Sequence, residues 1–244
     1  MSGDVVRRHL VGELVSRLSA EDVDRSERGR LLLRLAGLLG SGARAAGARA
    51  AVSGRWLGDA VADVAPHLPV RDLLTLREHH GGLSGDELAD ALVGTAARAT
   101  AAIGAAGGAL AAAEMAAPPT LLAAPVQLAA ETLAVVAVEL KLVAELHVVY
   151  GRAPVGSRAQ VATAYLTSWA GKRGIDLREG TPSFSSVLGT AARQQLRIRV
   201  VRRLGRNMST MAPFLAGAVA GAELNRRETR SLGEKLLTDL RRGR

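Results

Sequence analysis

Four ionisable side chains stand inside the most apolar stretch of this chain. Glu131, Glu139, Lys141 and Glu145 interrupt a segment, about 120–150, that is otherwise hydrophobic nearly all round. A helix of that composition is surrounded by protein or lipid, and a carboxylate placed there must be paired or neutralised. On a helix, Glu131 and Glu145 fall within about 40° of each other, with Glu139 and Lys141 diverging to either side. Arginine is abundant, so pairing with arginine is the expected fate of these carboxylates.

Metal chemistry is not expected. Bundle di-metal sites use Glu-x-x-His. The chain instead carries Glu145-Leu-His147, and Glu-x-x-His occurs nowhere. His79-His80 precedes Gly81-Gly82, where a cationic residue suits a helix C-terminus. His147, one turn from Tyr150, reads as an interior or boundary histidine. There is no phosphate-cradling Gly-x-x-x-x-Gly-Lys-Ser/Thr, no Gly-x-Ser-x-Gly and no His-Glu-x-x-His. "GAAGGAL" follows helix, not a strand, so a dinucleotide fingerprint fails for context. No catalytic residue and no cofactor is assigned. The expectation is a non-enzymatic protein; an enzyme using Glu131 or Glu145 is the weakest alternative.

The stretch "RQQLRIRVVRRLGR", 193–206, carries a different chemistry. On a helix, Arg199, Arg202, Arg203 and Arg206 share one side, and Leu196, Val200, Val201 and Leu204 the other. That is a basic amphipathic helix. It reads either as the solvated face of a bundle or as a contact for an anionic membrane surface, with duplex nucleic acid a lesser alternative. Net charge is +9, from 32 Lys+Arg against 23 Asp+Glu, and only Lys141, Lys172 and Lys235 are lysine. Such a skew beside so much Ala and Gly is compositional as readily as functional. Aromatic residues are 2% of the chain, too few for the stacking platform of a single-strand binder.

Small residues form a third pattern. Gly104 with Gly108, and Gly217 with Gly221, are two Gly-x-x-x-Gly pairs, each of which lets a second helix approach closely. The second pair lies in "PFLAGAVAGAELNRRETRSLG", 213–233. Asn225 with Glu228 three residues later resembles a capping box. It predicts that an apolar helix ends near Glu223–Leu224 and a basic one restarts at Asn225. The competing expectation is one continuous helix with Asn225 and Thr229 bonding inward.

The elements that must position these residues are helices. Ala, Leu, Arg and Glu dominate, and no stretch alternates like a strand. Ser19, ahead of Glu21 and Asp22, predicts a helix running to Gly40, with Gly/Ala-rich turns at 40–47. Ser84 and Glu87 form a capping box opening a long apolar helix. Pro118-Pro119 marks a break, and Gly151 suits the C′ position after the next helix. Ser183 can cap a helix running to about Arg206. The organisation expected is one helical domain over 1–244: amphipathic N-terminal helices at 1–80, an apolar central hairpin at 84–151 and basic C-terminal helices at 152–244.

Cys is absent, which removes disulfides and thiolate metal sites. "MSGDVVRRHLVGELVSRL" lacks the uninterrupted apolar core of a signal peptide. The uncharged runs Ala99–Ala113, Met115–Ala130 and Asn207–Ala222 are shorter than the ~20 residues a spanning helix needs. Buried core helices or shallow insertion fit better than a span. A cytoplasmic protein is expected, peripheral on the inner face of the membrane where it meets lipid.

The segments "AAIGAAGGALAAAEMAAPPTLLAAPVQLAAETLAVVAVELKLVAELHVVYG" and "APFLAGAVAGAELNRRETRSLGEKLL" resemble the centre and the closing segment of EcsC-family proteins. The resemblance rests on a Gly/Ala/Pro-rich segment leading to Tyr150-Gly151, and on Pro213, Gly217, Gly221, Asn225, Thr229 and Gly233 in order. It covers roughly residues 100–151 and 211–238, and residues 1–80 add nothing to it. Glu114 stands where the family pattern leads one to expect Asp, and aromatics are scarcer. The resemblance implies a bacterial, all-helical protein working at membranes, with no established activity and no catalytic residues to carry over. The combined reading is an all-α multi-helix bundle with a central Ala/Gly-rich hairpin. Its expected role is peripheral binding to anionic lipid through the basic helix; the alternative is a soluble scaffold acting through helix–helix contacts with a protein partner.

Overall fold

Helix-forming composition and local caps set the elements seen in the computed structural model, which describes residues 3–18, 20, 23–46, 61, 64–116, 123–174 and 213–242. The helices are α1 (Gly3–Leu18), α2 (Arg25–Ala46), α3 (Leu73–His79), α4 (Gly85–Ala116), α5 (Ala123–Val149), α6 (Arg158–Lys172) and α7 (Pro213–Arg242). A 3-10 turn at Ala65–His67 precedes α3. All regular structure among the described residues is helical, in a multi-helix bundle.

Side-chain caps set the starts of α2, α3 and α6. Asp24, not Ser19, starts α2: its carboxylate accepts the Glu27 N–H at 2.8 Å and the Ser26 hydroxyl at 2.8 Å. The helix then passes through Gly40 to Ala46, so the turns expected at 40–46 are helical. Each of the four glycines in α2 costs about 1 kcal/mol relative to alanine, and burial of Leu31, Leu32, Leu35 and Leu39 offsets it. Buried Arg28 closes the α1–α2 corner, donating to the carbonyls of Leu18 (2.6 Å), Ala20 (2.8 Å) and Val23 (3.1 Å). Ser157 and Gln160 form a reciprocal capping box at the start of α6. Gly151, at φ 65°, ends α5 as expected: its N–H reaches the Val148 carbonyl while Arg152 N–H reaches that of His147. This Schellman arrangement needs a left-handed residue at C′, which glycine adopts without a Cβ penalty. Gly81 ends α3 in the same way, through Glu78 and Arg77.

α5 is the axis of the bundle. Every residue from Ala129 to Leu140 and from Leu142 to Leu146 is buried, and α1, α2, α4, α6 and α7 all pack on it. Its all-round hydrophobicity is therefore satisfied by protein over this span. Leu133, Leu142 and Leu146 are among the largest fully buried side chains; each contributes about 1.5–3 kcal/mol of transfer energy. α4 and α5 form the antiparallel central hairpin, with Pro118-Pro119 between them outside the described residues. None of the described helices is long and apolar enough to cross a membrane.

The caps carry a pH signature. The backbone N–H of Glu27 holds the Asp24 carboxyl below its ordinary range, and that of Thr75 does the same for Asp72 at the start of α3. A carboxyl with a lower pKa folded than unfolded stabilises the fold above its unfolded value. That stabilisation is lost as pH falls through the folded value. Asp72→Asn preserves a capping oxygen but removes the titration. It should leave the melting temperature near neutral pH almost unchanged and flatten its fall below about pH 4. Parallel acid limbs in thermal melts of the variant and the parent would remove Asp72 from the acid response.

Candidate functional site: a polar ladder across a glycine crossing

The site begins with α7, which runs unbroken from Pro213 to Arg242. The helix break at Glu223–Leu224 and the cap at Asn225 are therefore corrected. Asn225 is 1% exposed in mid-helix, and Glu228 points to Arg173 instead of back to the Asn225 N–H. The Asn-x-x-Glu spacing is a local signal; the partners that decide the matter lie on α4, 125 residues away in sequence.

α4 and α7 lie antiparallel. Arg241 bonds Asp90 near the start of α4, Gly233 faces Val93, Thr229 faces Thr100, and Gly221 faces Gly104. The two helices touch most closely at Gly104 and Gly221. A Cβ on Gly104 would stand 2.6 Å from the Gly221 carbonyl carbon, and one on Gly221 would stand 3.1 Å from that of Gly104. The two predicted small-residue pairs thus meet each other, through one member of each. Gly108 is half-buried further along α4, and Gly217 lies in the first turns of α7. Two other glycines complete the contacts. A Cβ on Gly233 would stand 2.6 Å from both methyls of Val93, and one on Gly107 would stand 2.8 Å from the Glu131 carboxyl carbon.

The close approach brings a line of buried polar groups into register. Asn225 Nδ2 donates to the Thr100 carbonyl at 3.1 Å and to Glu131 Oε1 at 3.3 Å. The Thr100 hydroxyl donates to Thr229 Oγ1 at 2.9 Å, and Thr229 in turn donates to Glu139 Oε1 at 2.9 Å. Glu139 Oε2 accepts the Trp169 indole N–H at 2.9 Å. Arg173, just past the end of α6, pairs with Glu139 and with Glu228, the latter at 2.7 Å. Burial works against the Arg173 charge, but the two carboxylates outweigh it and raise its pKa further. The ladder therefore links α4, α5, α6 and α7 through named donors and acceptors. Gln127 extends it, donating to the Gly107 carbonyl at 3.2 Å.

Glu145 belongs to a second, separate cluster. Arg71 grips both its oxygens, at 2.8 and 3.0 Å, and Lys141 approaches at 2.8 Å. The arginine pairing expected for the central carboxylates is thus present at Glu139 and Glu145. His147 Nδ1 donates to the Val143 carbonyl at 2.7 Å, and its ring meets Tyr165 edge-on at 5.5 Å. Among the described residues no group of His, Asp and Glu is arranged to hold a metal ion.

Comparison with protein-family models, curated proteins and solved structures returns no match.

The glycine crossing and the polar ladder hold α4, α5, α6 and α7 in one register, and Glu139 and Glu145 are paired with cations. Arg199, Arg202, Arg203 and Arg206 lie outside the described residues. Thr100, Trp169, Arg173 and Gly107 are members that the sequence pattern does not mark, while Gly233, the last residue of the 213–233 line, packs against Val93. A usable signal is Trp169: a tryptophan inside a helix that packs on an apolar neighbour needs an acceptor for its N–H, and the structure selects Glu139 from the three carboxylates of α5.

Proposed function

We propose that this chain is a non-enzymatic, peripheral membrane-associated protein, similar to EcsC-family proteins, that binds anionic lipid through the basic stretch 193–206. The observation that carries this reading is the alignment of Arg199, Arg202, Arg203 and Arg206 on one side of a helical period, with Leu196, Val200, Val201 and Leu204 on the other side, where Arg193 and Arg197 also fall. Juxtamembrane basic residues are each worth about 1 kcal/mol at an anionic surface. Cytosolic synthesis and a peripheral place on the inner face of the membrane follow from the same reading. The alternative, a soluble scaffold acting through small-residue helix faces, loses part of its support because Gly104 and Gly221 face each other within the chain.

Vesicle co-sedimentation tests the reading. Binding should rise with the fraction of anionic lipid and fall with salt. Replacing Arg199, Arg202, Arg203 and Arg206 together with Gln should weaken it more than tenfold, given about 1 kcal/mol each. Equal binding to neutral and anionic vesicles would overturn the electrostatic reading.

A further inference from the structure

α3 turns most of its leucines away from the core. Of Leu73, Leu74 and Leu76, only Leu76 is buried; Leu74 is 72% exposed, Leu73 41%, and Val70, just before the helix, 40%. Pro69 is exposed beside them. A lone exposed leucine is ordinary, but four exposed apolar residues on one short element form a patch. The patch is held in place from behind. Seven residues are too few for a helix that is stable by itself. Asp72 caps the first turn by accepting the Thr75 N–H at 2.8 Å, Arg71 grips Glu145 of α5, and Leu76 fills the core. None of these contacts uses Leu73 or Leu74.

The start of α4, the end of α5, the start of α6 and the end of α7 meet at the same end of the bundle. Its aspartates are engaged within the chain: Asp72 at the cap, Asp86 with the Tyr150 hydroxyl at 2.6 Å, and Asp90 with Arg241 at 3.0 Å. Arg77, Arg158 and Arg242 are exposed there with no partner among the described residues, against Glu78 and Glu87. The outward field of this end is therefore positive.

Resting on the membrane reading above, we propose that α3 is a second, hydrophobic anchor. Val70, Leu73 and Leu74 enter the interface of an anionic bilayer to side-chain depth, with Arg77 at the phosphates. Stable attachment of a peripheral protein takes two signals, of which a basic stretch supplies one. At 100° per residue Arg77 falls between Leu73 and Leu74, one turn further along. Its aliphatic stem follows the leucines while its guanidinium stays with the headgroups. Glu78 lies about 90° from the centre of that stripe, and the Asp72 carboxylate is turned to the Thr75 N–H, so neither enters with it. Size decides between lipid and protein. A stable protein interface uses roughly 20–30 residues a side, far more than this patch supplies, whereas shallow insertion needs only a few apolar side chains beside a basic one. Charge points the same way. A two-fold contact here would bring two copies of the uncompensated arginines together, while anionic headgroups complement them.

The chain contains no cysteine, so single-cysteine variants report one position each. Leu74→Cys is labelled with an environment-sensitive fluorophore. Val219→Cys, 67% exposed near the opposite end of α7 from Arg241, is the reference. Vesicles of mixed neutral and anionic phospholipid should shift emission at 74 to the blue, and chain-brominated lipid should quench it there, with no response at 219. Leu73→Ser combined with Leu74→Ser should weaken vesicle binding several-fold at an unchanged melting temperature; the labelled Leu74→Cys chain keeps the test readable should the pair lower it. Vesicle binding without a response at 74 would overturn the anchor and leave the electrostatic reading standing, and an equal response at 219 would overturn it too. No vesicle binding by the parent chain would overturn both readings. A blue shift at 74 without lipid that grows with protein concentration would instead assign the patch to a second copy.

Discussion

Gly104→Ala is expected to lower the stability of the protein, while Gly37→Ala, the same chemical change, raises it. Both glycines lie inside helices, so both variants gain up to about 1 kcal/mol of helix propensity. Nothing lies within 4 Å of a Cβ at Gly37, which is exposed on α2, so the gain there is kept. At Gly104 the new methyl would stand 2.6 Å from the Gly221 carbonyl carbon and 2.5 Å from Asn225 Nδ2. The obstacle is a helix backbone, which cannot rotate aside as a side chain does. Overpacking of this kind costs about 1–3 kcal/mol or more, and moving α7 outward would also stretch the Asn225–Thr100 and Thr229–Glu139 bonds. A net loss of about 2 kcal/mol follows, near 4–8 °C in melting temperature for a chain of this size. Gly104→Val should lose considerably more. Thermal melts of the variants beside Gly37→Ala decide it: a Gly104→Ala melt at or above the parent's would mean that α4 and α7 do not touch here.

What could be read in the sequence, and what could not, divides by range of interaction. The α5 core was legible because near-continuous apolar sequence has few other destinations, and Gly151 because a left-handed C′ position is a local demand. The start of α2 was misplaced because Ser19 and Asp24 are both good caps, and only the corner built by Arg28 selects the second. Asn225 was misread for the opposite reason. Its local pattern is that of a cap, yet its two amide protons go to Thr100 and Glu131 on other helices. The small-residue pairs were recognised as packing surfaces. That Gly104 would meet Gly221, and that Gly107 and Gly233 would join them, depended on an antiparallel register no local signal encodes. The pairing of the central carboxylates was foreseeable from solvation alone, but not the choice of Arg173 for Glu139 and Arg71 for Glu145.

Arg173→Met is expected to cost about 3–5 kcal/mol, the loss typical when one partner of a buried ion pair is removed. The cost falls on the group left behind. Glu139 is 1% exposed; without Arg173 its carboxylate would retain the Trp169 indole and the Thr229 hydroxyl as described donors. Glu228 contributes little to the loss, since its side chain is 40% exposed and solvent screens it. Glu228→Gln should therefore change stability by less than about 1 kcal/mol. Adding Glu139→Leu to Arg173→Met removes the stranded charge and should recover part of the loss. Recovery stays incomplete because Trp169 and Thr229 then lose their acceptor, at about 1–3 kcal/mol for a buried donor left unsatisfied. Denaturant titrations of the single and double variants close the cycle. Additive losses would show that Glu139 and Arg173 do not interact in solution. A double variant clearly more stable than Arg173→Met would show that they do. The ladder's contribution would then be register more than energy: a hydrophobic replacement could pack as well, but only the polar partners oblige Thr100, Glu139 and Thr229 to meet at one level.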